Sequence, residues 1–339
     1  MKAELINDAD PRWASFLRNS HHDFYHLPAY AALSARQEGG DAAALLVGDG
    51  TGTMLLPIVL RSIQGSRLDA VSPYGYPGSL VSGTDDPSFA DRALHAGLDL
   101  LRSAGVVSLF VRLHPLLNPV PPKGHGRVAL HGSTVSVDLT LPSEVLWRQM
   151  RENHRRDIRR ALKTGLRPAF DDSWTHFETF KRLYRATMDR VSAEARYFFD
   201  DRYFDELRSA LQERLKLCVV EVDGVIAGAG LFVETCGIVQ YHLSGTDDAF
   251  TGGPPTKLML QFVGEWARTR GDIRLHLGGG IGATADSLFD FKAGFSPDRH
   301  AFHTWRSVLD EAEYARLESL RGGAPNRDDF FPSYRRPPT

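Results

Sequence analysis

A single lysine, Lys292, follows a glycine-rich stretch and has apolar neighbours. This combination is typical of a binding or catalytic site. The stretch over 275–295 reads LHLGGGIGATADSLFDFKAGF; it begins as an apolar strand, breaks at three glycines (278–280) and ends in an amphipathic segment with Lys292 between Phe291 and Phe295. A glycine turn after a strand lets backbone N–H groups approach a ligand closely. A cation among apolar side chains is costly unless an anionic group pairs with it. We therefore predict a site at which negative charge binds or develops.

A second candidate site is the basic run over 148–167, which reads RQMRENHRRDIRRALKTGLR and has eight arginines and lysines against two acids. Its periodicity predicts a helix over 153–164. The periodicity places three basic side chains on one face and two apolar ones inward: Arg155, Arg159 and Lys163, and Ile158 and Leu162. In a chain of net charge −2, this density offers several contacts to phosphate groups. A solvated helix face is the alternative.

The elements that must position these residues alternate between helices and strands, which predicts an α+β protein. In the first part of the chain we predict helices over 27–37 and 91–104, and strands over 42–47, 54–61, 106–113 and 135–141. The second part repeats this order, with helices from residue 143 and over 153–164, 175–191, 203–215 and 256–270, a hairpin over 217–233, and strands over 238–244 and 273–277. A last helix, over 311–320, precedes a short tail.

Composition excludes several classes of protein. No apolar run reaches the roughly 20 residues of a membrane-spanning helix, and the first residues carry acids and a proline where a signal peptide has an apolar core. We therefore expect a cytoplasmic protein without stable membrane insertion. The two cysteines, Cys218 and Cys236, lie in strand-like runs and are expected to be buried and reduced. No metal-ligand spacing stands out, so neither a metal nor a bound cofactor is predicted.

Two motifs resemble those of the Fem-type aminoacyltransferases. The first is H-L-G-G-G followed by D-S-L-F-x-F-K-x-G-F, and the second is R-x-x-R-R-x-I-R-R-A-x-K-x-G in the basic run. Members of this family are tandem relatives of the GNAT acyltransferases and move an amino acid from aminoacyl-tRNA onto an amine. The resemblance implies two GNAT-like domains, each a mixed, mainly antiparallel sheet flanked by helices, without a coiled-coil arm. It implies an acceptor-side domain over 1–142, a donor-side domain over 143–318 and a tail over 319–339 that returns to the first domain.

The resemblance also implies roles for individual residues. The catalytic pair would be Lys292, as the cation that stabilises the oxyanion of a tetrahedral intermediate, and Phe291. The donor side, with aminoacyl-tRNA as co-substrate, would comprise Arg155, Arg156, Arg159, Lys163, Lys257, Gly278, Gly279 and Gly280. The acceptor side would comprise Arg36, Tyr74, Tyr76, Arg112, His114, Arg190, Tyr241 and His242.

The acceptor is expected to be an amine of a cell-wall precursor or of a peptide-like or nucleoside natural product. Cell-wall members of the family tend to have an acid-proline pair where this chain has His114-Pro115. This departure removes a carboxylate that could orient the acceptor amine, and it leaves room for an amine other than that of a cell-wall precursor.

Two alternatives from other classes remain. An ordinary GNAT enzyme would bind acyl-CoA through R/Q-x-x-G-x-G/A before a helix; here Gly252 and Gly253 are followed by Pro254 and Pro255, which lack N–H donors. A non-catalytic RNA-binding protein with the same fold is the other alternative, and the intact glycine loop with Lys292 weighs against it.

Overall fold

A computed structural model describes residues 1–63, 65–117, 124–250, 255–320 and 330–336. Its elements, in chain order to the middle of the chain, are β1 (Lys2–Asn7), α1 (Pro11–Arg18), α2 (Pro28–Glu38), β2 (Asp41–Gly48), β3 (Thr53–Ser62), β4 (Leu68–Val71), β5 (Leu80–Ser82), α3 (Phe89–Ser103), β6 (Val106–Arg112) and β7 (Arg127–Asp138). Then follow α4 (Ser143–Gln149), α5 (Glu152–Lys163), β8 (Arg167–Phe170), α6 (Phe177–Arg190), α7 (Asp201–Leu211), β9 (Leu215–Val222), β10 (Val225–Thr235) and β11 (Ile238–Thr246). The last are α8 (Pro255–Arg270), β12 (Arg274–Gly278), α9 (Ser287–Ala293), β13 (Arg299–Val308) and α10 (Glu311–Leu320).

The chain divides by its contacts into two compact units. Unit 1 comprises Met1–His131 and Ala301–Thr339, and unit 2 comprises Gly132–His300. These contact boundaries fall at other residues than the predicted domain ranges 1–142, 143–318 and 319–339, which stay predictions. Within unit 1, the described part of the tail contacts earlier strands: Tyr334 Oη lies 2.7 Å from Ser108 Oγ, and Arg335 Nε donates to Asp69 Oδ2 at 2.8 Å.

Unit 1 is a mixed sheet with helices on both faces. The strands follow the order β1-β2-β3-β4-β6-β13, and every neighbouring pair is antiparallel except β4 with β6. Alternation along β2 sends Leu45 into the core under α3, whereas its neighbour Ala44 faces the core beneath α1 and α2. The helices therefore bury both faces of this sheet.

Unit 2 repeats the arrangement with the strand order β7-β12-β11-β10-β9-β8, in which only β11 and β12 are parallel. Its main core lies between the sheet and α4, α5 and α8. Helix α6 packs directly on β11, where a Cβ atom on Gly245 would lie 2.3 Å from the backbone of Leu183. The described residues thus confirm the predicted α+β class and mixed sheets.

Two details of the sequence prediction are wrong. Leu162 is 42% exposed, because α5 packs inward through His154, Ile158 and Ala161 and Leu162 lies about 100° around the helix from Ala161. Cys218 is buried, but Cys236 is exposed at the turn between β10 and β11, where its φ of +47° fits a turn rather than a strand.

The longest helix within the described ranges, α8, has 16 residues, so the described part contains no coiled-coil arm. In the same part of the chain, no helix combines the length and the apolar character that crossing a membrane requires.

Candidate functional site

Lys292 is buried at the end of the glycine loop. It lies in the last turn of α9 with 9% of its surface exposed, and its Nζ donates to the Gly279 carbonyl oxygen at 2.7 Å. This bond uses one of the three N–H groups of the ammonium. The same Nζ lies 5.9 Å from the centre of the Tyr241 ring. Burial lowers the pKa of Lys292 to about 8, and the nearby Asp286 carboxylate opposes part of this shift.

Asp286 fixes the glycine loop to the helix that carries Lys292. Its Oδ1 accepts from Phe289 N at 2.8 Å and caps α9, and its Oδ2 accepts from Ile281 N at 2.8 Å. A Cβ atom on Gly280 would lie 2.2 Å from the Thr284 carbonyl oxygen and 2.4 Å from Asp286 Oδ1. The loop therefore has room only for glycine at position 280.

The strands that lead into this loop pair over a short distance. β11 and β12 form three residue pairs, from Ile238 with Arg274 to Gln240 with His276. Beyond them, β11 pairs with β10 through an irregular register, since Phe232 is opposite Tyr241 and Leu231 is opposite Leu243. Such a bulge re-aims the side chains around it. The loop and α9 follow directly on β12.

The start of α5 holds the end of α9. His154 Nε2 lies 2.8 Å from the Phe291 carbonyl oxygen, which can only accept, so Nε2 carries the hydrogen. Arg151 donates from its backbone N to Gly294 O at 2.8 Å and from Nη1 to Asp290 O at 3.2 Å. Three carbonyl groups at the end of α9 are therefore satisfied by two residues of the basic run.

The basic residues of α5, among them the predicted donor-side Arg155, Arg156 and Arg159, have different surroundings. Arg155 is bonded to Glu152, and Arg156 and Arg160 lie 3.8 and 3.6 Å from Asp157. Arg159 is exposed, with its Cζ 5.3 Å from the centre of the Trp147 ring.

Two lysines complete this set. Lys163 is exposed at the end of α5. Lys257, which we predicted to contact the donor, forms an ion pair with Asp157 at 2.7 Å and thereby joins α8 to α5.

Three of the predicted acceptor residues lie in unit 2. Tyr241 stacks on Phe232 at 5.5 Å and is hydrogen-bonded to Ser244. His242 lies at the bulge, with its Nε2 3.4 Å from the Tyr203 hydroxyl on α7, and burial lowers its pKa to about 4. Arg190 is paired with Asp248. The structure therefore brings Tyr241 beside Lys292.

Three of the predicted acceptor residues in unit 1 lie on or beside its sheet. Arg112 has its Cζ 5.9 Å from the Tyr74 ring, and its Nη1 donates to the Ser72 carbonyl oxygen at 3.2 Å. Arg36 is exposed in the last turn of α2. Their proposed contact with an acceptor stays a prediction.

Tyr76 and His114 belong to a buried polar cluster that includes a carboxylate which sequence reasoning missed. His114 Nδ1 accepts from Leu116 N and Leu117 N, both at 3.1 Å, so its Nε2 carries the hydrogen and donates to Asp23 Oδ2 at 2.9 Å. Both side chains are fully buried, and the Tyr76 ring lies 6.5 Å from His114. Asp23 lies 91 residues from His114 along the chain, and no local motif links them.

Within the ranges that the structure describes, no group of three or more histidine, cysteine or acidic side chains is arranged to hold a metal ion.

Comparisons with known proteins agree with this arrangement. Residues 148–292 match the family model of the acetyltransferase (GNAT) domain. No curated protein matches the chain in sequence. The solved structure of FemX superposes with a TM-score of 0.69 at 14% identity, over 93% of this chain and 99% of FemX.

Two further solved structures are similar. A conserved protein of unknown function from Bacteroides thetaiotaomicron has a TM-score of 0.58 at 12% identity, over 91% of this chain and 99% of that one. L-PGS from Bacillus licheniformis has a TM-score of 0.53 at 14% identity, over 88% of this chain and 92% of that one. The chain therefore shares the fold of FemX, as predicted, and its residues 148–292 match a GNAT acetyltransferase domain.

Proposed function

We propose that this protein transfers an aminoacyl group from aminoacyl-tRNA to an amine and forms an amide bond. The observation that carries the proposal is the buried cation of Lys292, fixed to the glycine loop at the end of β12. Among the described residues, no carboxylate is hydrogen-bonded to this ammonium, so the negative charge that appears on an attacked carbonyl group would compensate it. The Fem-type fold is consistent with this chemistry.

In the proposed reaction, the neutral acceptor amine attacks the ester carbonyl carbon. A C–N bond forms, the carbonyl electron pair moves to oxygen, and Lys292 stabilises the resulting oxyanion. The C–O bond to the ribose then breaks; the ribose oxygen gains a proton and the amine nitrogen loses one. An α-amine has a pKa near 8, so part of it is neutral at pH 7 without a strong protein base.

The donor would bind through the basic residues of α5. Their positive charge suits the phosphates of an RNA, and each contact adds a salt-dependent contribution to affinity. The hydrogen bonds of Arg151 and His154 with α9 place this basic helix directly against the helix that carries Lys292. A charged tRNA as donor would also place the reaction in the cytoplasm.

The acceptor would be an amine on a cell-wall precursor or on a peptide-like or nucleoside natural product. In place of the acid-proline pair of the cell-wall members, this chain has His114 hydrogen-bonded to Asp23. The Asp23 carboxylate is fully buried and bonded to His114, so it is not exposed to an acceptor amine. This difference supports an acceptor other than the common cell-wall precursor.

An acyl-CoA donor is the second candidate, because the family model that matches residues 148–292 is that of acetyltransferases. Of the two prolines that weigh against CoA, Pro254 lies outside the described ranges, as do Gly252 and Gly253. Pro255 is the first residue of α8 and offers no N–H donor to a pyrophosphate there.

The test is to incubate the purified protein with a mixed pool of charged tRNAs and a panel of amines, and separately with acetyl-CoA and the same panel. We expect a product whose mass equals acceptor plus aminoacyl group, formed only with charged tRNA and abolished when RNase is added first. The variant Lys292→Ala should lose most of this product. A product formed only from acetyl-CoA and insensitive to RNase would refute the tRNA donor.

A further inference from the structure

A groove of about 440 Å³ lies in unit 2 between α4 and α8. Its walls are mainly apolar and include Leu275 of β12 and Phe295, which follows α9. Phe295 also packs its ring against His154 at 4.7 Å. The groove therefore adjoins the helix that carries Lys292, although Lys292 itself does not line it.

An aromatic ring and arginine side chains mark the side of the groove next to the basic run. Trp147 lines the groove and is only half-buried, and the Arg159 guanidinium lies over its ring with Cζ 5.3 Å from the centre. Arg148, which is exposed, lines the groove as well. Stacked aromatic rings and guanidinium groups beside a basic surface are how proteins bind unpaired nucleotides.

Two carboxylates also line the groove and indicate what it would hold. Glu265 accepts from Ser143 Oγ at 2.8 Å and from Arg268 Nη2 at 2.6 Å, and Glu144 is exposed. Carboxylates repel phosphate groups, but they accept hydrogen bonds from the exocyclic amino group of a base. A base would therefore enter the groove while its flanking phosphates stay outside it, near the arginines.

We propose that this groove binds one unpaired, amino-bearing base of an RNA, stacked on Trp147, with Arg148 and Arg159 beside the flanking phosphates. The proposal rests on the proposed function, in which a tRNA is the donor, and adds to it a second contact outside the reaction centre. Apolar walls, an aromatic ring and carboxylate acceptors suit a base, and the basic side chains suit its backbone.

The chain contains a matched control for Trp147. Trp266 of α8 is also half-buried, and the Arg270 guanidinium lies over its ring with Cζ 5.2 Å from the centre. Its ring packs on Phe170 at 4.7 Å and does not line the groove. Replacing either tryptophan removes a tryptophan–arginine pair from unit 2, but only Trp147 belongs to the proposed base site.

The experiment measures binding of short fluorescent RNAs to the full chain by anisotropy, with hexacytidylate and an abasic RNA of the same length. We expect wild type to bind hexacytidylate about tenfold more tightly than the abasic RNA. Trp147→Leu should lose this preference and keep the salt dependence, whereas Trp147→Phe should restore part of the preference. Trp266→Leu should bind both RNAs as wild type does.

Four outcomes overturn the proposal. The base site is refuted if wild type binds both RNAs equally, or if a folded Trp147→Leu variant keeps the preference for hexacytidylate. In either case, RNA-dependent transfer by wild type leaves the proposed function standing. If Trp147→Leu fails to fold, the double variant Trp147→Phe/Arg159→Gln is measured in its place. An unchanged preference of that variant for hexacytidylate refutes the base site. A wild type that neither binds RNA nor uses charged tRNA refutes both the groove and the tRNA donor.

Discussion

At the scale of single residues, the charge on Lys292 should set the alkaline limit of the reaction. Burial lowers its pKa to about 8, so the stabilising cation is lost as the pH rises through that value. We expect initial rates at saturating donor to fall above pH 8, and Lys292→Arg, whose guanidinium stays charged, to lose this fall even if its rate is lower. Rates measured from pH 6 to 9 test this, and an unchanged alkaline limb in Lys292→Arg would show that another group titrates.

The same burial should make Lys292 costly for stability. Because its pKa is lower in the folded protein than in the unfolded chain, the unfolded state binds more protons between about pH 8 and 10.5, and stability rises with pH over that window. Below pH 8 the folded protein carries the full cost. We expect Lys292→Met to raise the free energy of unfolding at pH 7 by about 1–3 kcal/mol.

Urea unfolding at pH 7 and pH 9.5 measures this effect, with Lys163→Met, at an exposed position of α5, as the control. At pH 7 the Lys292→Met variant should be more stable than wild type. At pH 9.5 this difference in the free energy of unfolding should be smaller or absent. A Lys292→Met protein less stable than wild type at pH 7 would mean that the bond to Gly279 O outweighs the cost of burial.

The sequence predicted a glycine loop beside Lys292 because both belong to one short motif, whereas the Tyr241 ring, 5.9 Å from Lys292 Nζ, comes from β11. It missed Asp23, since nothing in the local pattern indicates that this carboxylate meets His114, 91 residues away. It placed both Tyr241 and His242 on the acceptor side, whereas at the bulge in β11 Tyr241 lies beside Lys292 and His242 lies beside Tyr203. Irregular strand register depends on packing and leaves no periodic signal.

At the scale of elements, the contact between α5 and α9 should control turnover rather than donor affinity. In His154→Ala the Phe291 carbonyl loses its donor, so the end of α9 and Lys292 are held less firmly. We expect kcat to fall about tenfold or more with the donor KM nearly unchanged, and His154→Gln, whose amide can donate, to recover part of kcat. His95→Ala, which removes an exposed histidine from α3 of unit 1, serves as the control.

Steady-state kinetics with each variant separate these effects. A loss that appears in the donor KM, or an equal loss in the alanine and glutamine variants, would contradict a positioning role for His154. Circular dichroism at the assay temperature shows whether each variant is folded when its rate is measured.

The accuracy of the element predictions follows the physical signal in each segment. Long apolar or periodic segments such as β3, β10 and α8 were predicted to within a few residues. The short strands β4, β5 and β8 have only three or four residues, too few to show a period of two. Strand β13 was missed because its sequence, RHAFHTWRSV, carries four basic or histidine side chains in ten residues.

At the scale of the whole molecule, the two-part α+β fold was predictable because the same order of helices and strands occurs twice, and the chain shares the fold of FemX at 14% identity. The use of the acceptor residues was not predictable in the same way. Five of them lie in unit 1 and three in unit 2. Which of these face a common ligand depends on tertiary packing, which a local motif does not encode.

The distribution of charge over the whole molecule leads to the last prediction. The chain has a net charge of −2, yet the run over 148–167 holds eight basic residues against two acids, so any RNA affinity should come from this local surface and not from the net charge. We expect Arg159→Glu and Lys163→Glu each to raise the donor KM and to reduce the slope of log KM against log salt by roughly one. Arg155→Glu should have a smaller effect on both quantities, because Arg155 is already bonded to Glu152.

The control is Arg18→Glu, on α1 of unit 1, which changes the net charge equally and should leave both quantities unchanged. An equal effect of Arg18→Glu would attribute donor affinity to overall charge and refute a phosphate-binding surface on α5.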